Sequence, residues 1–450
     1  MGDREAELTV PQTQLEEIAS KISDLNKWRE IFSFRGLEIS NTTHQRGQGS
    51  AGDGPPGEPA GPPPPQPPAA IPRPLLGPAD AGGRPISLEM AVGLRRLLFG
   101  NASHPFSCEW AQAHFRFRQP CSDLAYALEA EKGGTRAILM AVQAHVIKYL
   151  LFARGTEHTH LERLCRVSGP EQGQALAAAL ADTLWAAGGG GRAVVCLLAP
   201  AAHLVLSGDY RADGITERLQ LFEFSEKAAA QEFIFNHITC FKGEGSHGVI
   251  LFLYSLLFSR TLERVRDDLG CSETLLEFSF GSITCTQAML SLLLTGRASP
   301  HELDGGQEPG PGGGHSEARR QRAPVGYLRW DRAPAARQVR AGAVCHALRT
   351  PQLPVWLCGI CGRHGVLFGT DSRLLSDWRR ERLFQLYFYS GQREQARTAR
   401  LTVDTHSHPW EEGQGEDLST PGKRRPSLEM AIRTKWAGAT VSWDGTDPFF

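Results

Sequence analysis

The sequence predicts an α+β fold, a helical part packed on a mostly antiparallel sheet. Three observations carry this expectation. Apolar residues recur at helical spacing over long stretches such as Arg136–Ala153 and Val249–Asp268. Runs with strand patterning, among them Val355–Leu357, Gly365–Phe368 and Leu383–Tyr389, collect later in the chain. Helices therefore come first and strands afterwards, which is the α+β pattern. With 450 residues, 41% of them hydrophobic, the chain has material for a large core in one domain or two.

Taken in order, residues 1–44 form an N-terminal arm. Leu15, Ile18, Ile22, Leu25, Trp28 and Phe32 give it a short amphipathic helix over Pro11–Phe34. That helix either docks on the main domain or binds an unknown protein partner. Residues 45–84 are mostly Gly, Pro and Ala, including Pro62 to Pro65, and read as a disordered linker. Order resumes at Pro85, with Ser87 placed to cap a helix over Leu88–Leu98. Residues 85–450 form the main domain. Further helices are expected at Pro170–Ala187, Ser225–Phe235 and Cys285–Leu294, and further strands at Arg192–Leu198, Leu219–Phe224 and Arg400–Val403. Polar, Gly-rich inserts near 304–323 and 411–425 read as disordered surface loops. Ser427–Ala431 echoes Ser87–Ala91, but nothing around it repeats.

A net charge of −1 gives bulk electrostatics no reason to expect nucleic acid or a membrane surface as partner. The N-terminal sequence lacks the apolar stretch of a secretory signal, and Ala6 stands where a myristoylation signal wants Ser or Thr. The longest apolar run, Val249 to Phe258, is too short to span a bilayer. Ten scattered cysteines fit reduced thiols better than a disulfide framework, so an intracellular setting, cytoplasmic or nuclear, is expected. The clusters Arg379-Arg380, with Arg382, and Lys423 to Arg425 read as solvated faces.

Two motifs resemble ligand sites and fall short. Gly243 to Gly248 matches G-x-G-x-x-G, but Ile238–Phe241 patterns poorly as the strand a dinucleotide site needs. A glycine-rich helix entry is the simpler reading. Cys358 and Cys361 form a C-x-x-C pair with no second pair, and Gly359, Gly362 and Gly365 argue for a turn between strands. His406 and His408 lead into a polar insert. No metal and no cofactor are expected.

The stretch Lys132–Gln143 is the most informative. A glycine turn, Gly133-Gly134, opens directly into an apolar helix beginning at Arg136. Such a helix start offers free N–H groups and the positive end of a dipole, which favour a thiolate. Arg136 occupies that place. Alternatively, the turn simply starts a core helix.

Five segments together resemble the MINDY deubiquitinase family, specifically its longer branch: Lys132–Gln143, Val249–Leu269, Thr284–Arg297, Thr350–Phe368 and Glu429–Pro448. The resemblance covers roughly Pro85 to Phe450. It implies a papain-like cysteine-protease fold that cleaves proteasome-type polyubiquitin. Active members resemble Q-K-K-G-G-P-C-G at the nucleophile, the Gln assisting the oxyanion hole. Laid on this chain, the Gln position is Ala130, the Cys position is Arg136, and Thr135 replaces the Pro. The family's His precedes V-L-F; counting without gaps lands on Arg363, with His364 adjacent and one residue late. A one-residue shift in a strand points a side chain to the other face.

The resemblance with these losses implies an inactive ubiquitin carboxyl-terminal hydrolase with no catalytic residue, still binding ubiquitin, polyubiquitin or another partner. Losing a nucleophile costs about 10⁶ in rate. Arg136 is expected to find an anionic partner or face solvent; with Gly133 and Gly134 it would receive the free carboxylate of a ubiquitin tail. Two alternatives stay open. One is residual cysteine-type deubiquitination through a displaced thiol such as Cys121 or Cys361. The other is a scaffold outside ubiquitin chemistry that acts through the N-terminal helix.

Overall fold

A computed structural model describes residues 82–445, apart from 131–132, 154–159, 203, 205–209, 271–273, 280, 302, 304–321, 332–343 and 407–425, together with residue 448. The expected arm helix, the linker as far as residue 81, both inserts over 304–321 and 411–425, Lys423 to Arg425 and His408 lie outside the described residues.

A two-residue strand, β1 (Arg84–Pro85), leads into α1 (Leu88–Phe99). The Ser87 hydroxyl accepts from the Met90 N–H at 3.2 Å, the expected cap, and Gly100 closes the helix in the left-handed region. Next come α2 (Cys108–Gln112) and α3 (Arg136–Phe152). The α3 sequence is apolar on nearly every side, and almost the whole helix is buried accordingly. Then follow α4 (Leu161–Cys165) and α5 (Gly169–Ala187), the latter entered through a Ser168–Glu171 capping box.

The strands β2 (Ala193–Leu198) and β3 (Leu219–Phe224) pair antiparallel and complete a three-stranded sheet in the order β1-β3-β2. This sheet packs on two of the helices that follow, α6 (Lys227–Asn236) and α8 (Gly248–Arg260), while the short α7 (Thr239–Lys242) between them packs on α8. Strands are thus not confined to the later part of the chain, because the buried face of β2 needs a helical cover early. The helix expected over Val249–Asp268 breaks at Thr261, whose φ of +73° no α-helix accommodates, and restarts as α9 (Leu262–Leu269). Arg260 and Asp268 tie the two pieces with paired contacts at 2.8 and 2.9 Å. A hairpin of β4 (Leu276–Ser279) and β5 (Ser282–Cys285) precedes α10 (Gln287–Thr295). Cys285 therefore ends a strand instead of starting the helix, and Thr286 caps α10.

The remaining elements are β6 (Gly326–Trp330), α11 (His346–Arg349), β7 (Val355–Ile360), β8 (Arg363–Phe368), β9 (Leu383–Tyr389), β10 (Ala399–Asp404), α12 (Ser427–Arg433) and β11 (Thr440–Trp443). They build a six-stranded sheet in the order β11-β10-β9-β8-β7-β6, antiparallel except for the β6–β7 pair. Side-chain alternation divides it into two faces. Val355, Leu357, Val366, Phe368, Tyr387 and Tyr389 join the main core with α3. Trp356, Leu367 and Phe388 form a second core with Leu428, Ala431 and Ile432 of α12. The architecture is α+β. No helix among the described residues is long and apolar enough to cross a membrane.

Candidate functional site

The Gly133-Gly134 turn is locked from two sides. Trp110, fully buried on α2, donates its indole N–H to the Ile283 carbonyl at 3.0 Å. That same carbonyl lies 1.5 Å from where a β-carbon on Gly134 would sit, so only glycine fits. The Gly134 N–H donates to Glu109 Oε1 at 3.0 Å, and the Cys285 thiol lies 3.7 Å from the Gly134 carbonyl. The turn delivers Arg136 as the first residue of α3.

Arg136 is 5% exposed. Its guanidinium spreads over three backbone carbonyls. Nε donates to His364 O at 3.0 Å, Nη1 to Ala130 O at 3.2 Å and Nη2 to Ser390 O. Arg136 thus neither faces solvent nor pairs with a carboxylate among the described residues; the fork geometry of the side chain is met by peptide oxygens. Burial lowers its pKa, and the charge of Arg363 lowers it further. These contacts join the start of α3 to β8 and to the residue that follows β9.

Ala130 is 1% exposed, donates its N–H to Gly391 O at 3.0 Å and rests its methyl against Gly391. Ser390 is held in turn by Gln395, whose Oε1 accepts from the Ser390 N–H at 2.7 Å and its hydroxyl at 2.8 Å. On β8 the register is regular, His364 opposite Gly359 and Arg363 opposite Ile360. His364 shares the α3-facing side of the strand with Val366 and Phe368; Arg363 belongs to the other side and is exposed. Burial, and then the Arg136 guanidinium, push the His364 imidazole down to about 4.

Other singled-out residues disperse. Cys361 and Gly362, both with positive φ, form the two-residue turn between β7 and β8, as their glycine surroundings led us to expect. Cys358 is buried and its thiol is pushed far up. Cys121 donates its backbone N–H to Val167 O at 3.0 Å, beside α5. Cys285 is pushed up to about 12 by burial. Among the described residues no three His, Cys, Asp or Glu side chains gather as metal ligands. The Gly243–Gly248 pattern follows the helix α7 instead of a strand. Gly248 is required because a β-carbon there would lie 2.0 Å from Phe241 O. Sequence reading missed Glu109, Cys285, Ser390 and Gln395. None carries a motif: Glu109, Cys285 and Gln395 reach the site with side-chain atoms and Ser390 with its carbonyl, each from a part of the chain remote in sequence from Arg136.

A family profile described as "Deubiquitinating enzyme MINDY-3/4, conserved domain" matches residues 95–445. The chain is 35% identical over 381 residues to the probable ubiquitin carboxyl-terminal hydrolase MINDY-4 of Mus musculus, covering 84% of this chain and 49% of that protein. It is 34% identical over 380 residues to the Homo sapiens counterpart, covering 84% and 48%. Against the ubiquitin carboxyl-terminal hydrolase MINDY-3 of Bos taurus it is 26% identical over 333 residues, covering 66% and 70%. The chain spans about half the length of the MINDY-4 relatives it matches. No solved structure matches it.

Proposed function

The chain belongs to the MINDY-3/4 family of deubiquitinating enzymes, and on that premise we propose that it is a pseudoenzyme, a hydrolase scaffold without hydrolase activity. The observation that carries this reading is the state of Arg136. A permanent cation fills the helix start where a thiolate nucleophile belongs, and three carbonyls hold it there. Ala130 offers no side-chain donor to an oxyanion. His364 faces α3 in the manner of a general base, but it has no thiol to deprotonate. We read α3 against the six-stranded sheet as a papain-like arrangement, with the 85–450 region as the catalytic-type domain and the arm at 1–44 as an appended partner-binding element.

The displaced-thiol alternative is weaker. Cys285 is the thiol in contact with the turn, and burial keeps it protonated at neutral pH. Cys121 and Cys361 are exposed, on a loop beside α5 and at a hairpin tip. The partner class is ubiquitin or polyubiquitin. A ubiquitin tail carboxylate at Gly133, Gly134 and Arg136 would have to displace three carbonyls and the Glu109 carboxylate. We therefore place ubiquitin recognition on surfaces outside this closed turn.

Two measurements test the reading. A ubiquitin probe with a thiol-reactive C-terminus should form no adduct with the full chain; a covalent adduct would reject the pseudoenzyme assignment. Ubiquitin with and without its terminal Gly-Gly pair should bind equally. A clear preference for the intact tail would reinstate the pairing with Arg136.

A further inference from the structure

The loop between β8 and β9 is the most unusual surface of the described chain. Trp378 and Leu383, 69% and 66% exposed, are the two most exposed large apolar side chains among the described residues. They lie in one short stretch with Arg373, Arg379, Arg380 and Arg382. The guanidinium of Arg379 sits 5.6 Å from the Trp378 ring centre and that of Arg382 sits 6.0 Å away.

The carboxylates of the stretch are already used. Asp371 and Asp377 lie 2.5 and 3.8 Å from Arg380, while Glu381 accepts from the Trp436 indole at 2.6 Å. Arg373, Arg379 and Arg382 have no carboxylate partner among the described residues; besides the Trp378 ring, Arg382 meets the His406 ring, at 3.0 Å. Beside them opens a pocket of about 480 Å³ whose lining includes Leu374, Leu383, Phe384, Gln385 and the paired Asp371 and Arg380. It exists because β8 ends opposite Tyr387, so the first residues of β9 run on past it.

We propose that this surface docks an acidic protein segment carrying an apolar anchor. The anchor seats on Leu383, which lines the pocket, and covers the exposed Trp378 of the same stretch. Carboxylates on either side of it take the guanidinium groups of Arg373, Arg379 and Arg382 as charge-assisted pairs. The charge pattern selects a peptide over a polyanion. Four arginines against three carboxylates leave a balance of one positive charge over residues 371–382, too little for the multiple phosphate contacts on which nucleic-acid binding rests. The exposed Trp and Leu call for apolar cover that a phosphate backbone lacks.

The test titrates the full chain into a fluorescein-labelled short acidic peptide with a central Leu-Phe pair, read by anisotropy at low and high salt. Binding should weaken with salt. The pair Arg379→Glu with Arg382→Glu, and separately Trp378→Ala, should each weaken it about tenfold or more. Arg166→Glu, a charge reversal at a residue whose side chain is 82% exposed elsewhere, should leave it unchanged. Melting curves confirm that these surface variants fold. Absence of binding, or equal binding by wild type and the double variant, would overturn the proposal. Tighter capture of a labelled oligouridine would assign the surface to nucleic acid instead. Binding that emerges only after deletion of residues 411–417 would assign it to the chain's own acidic insert.

Discussion

Replacing Arg136 by Ala measures what its guanidinium contributes to the stability of the fold. The substitution removes the donors to the carbonyls of His364, Ala130 and Ser390 together. A buried acceptor stripped of its partner costs about 1–3 kcal/mol. Three such losses are partly offset by removing a buried charge, and by water entering the vacated space. The net expectation is a loss of about 2–4 kcal/mol. In a domain of this size each kcal/mol lowers Tm by about 2 °C, so differential scanning calorimetry should find a fall of roughly 4–8 °C. Arg136→Lys separates fork geometry from charge. A single ammonium cannot span three carbonyls set around a planar guanidinium, so it should recover less than about half of the loss. An Arg136→Ala variant that melts within about 1 °C of wild type would refute the clamp, since that is the behaviour of an unconstrained surface residue.

The same variant bears on His364: with the neighbouring cation removed the imidazolium is less disfavoured, so its NMR titration midpoint should rise from about 4, and an unchanged midpoint would separate the two groups. His145, 4% exposed on α3 and with both ring nitrogens unpartnered among the described residues, is pushed down to about 3 by burial. It is neutral in the fold and protonates near 6.5 when unfolded, so its contribution is full above pH 6.5 and is lost as pH falls toward 3, at up to about 1.4 kcal/mol per pH unit. His145→Leu should flatten that acid limb in urea titrations repeated across pH. Gly134→Ala forces a β-carbon onto the Ile283 carbonyl and should cost more than about 3 kcal/mol, read as loss of folded protein in melts.

What the sequence made legible follows apolar patterning. The α3 helix was visible as an apolar run too long for a strand, β8 and β9 as short apolar and aromatic runs, and Arg136 as a cation just after a glycine turn. Its cage was not. Backbone carbonyls carry no side-chain signature, and two of the three come from positions 228 and 254 residues away. The break at Thr261 was hidden because apolar spacing runs smoothly from α8 into α9, and only the φ of +73° reveals the interruption. The β4–β5 hairpin was hidden by its brevity, four residues a side around Gly281. Alternation separates Arg363 from His364, since a regular register puts only His364 toward α3.

The long reach of the Arg136 contacts also sets when they form. A hydrogen bond closing a loop of more than two hundred residues forms only after the intervening chain has collapsed and the sheet strands have found their register. The guanidinium is therefore expected to enter its carbonyls late, so Arg136→Ala should raise the unfolding rate more than it lowers the folding rate in a chevron measurement; the opposite split would place the contacts in the barrier. Late-forming interactions slow unfolding while leaving folding rates nearly untouched. An arginine buried among carbonyls from three parts of the chain should thus lengthen the lifetime of the folded protein.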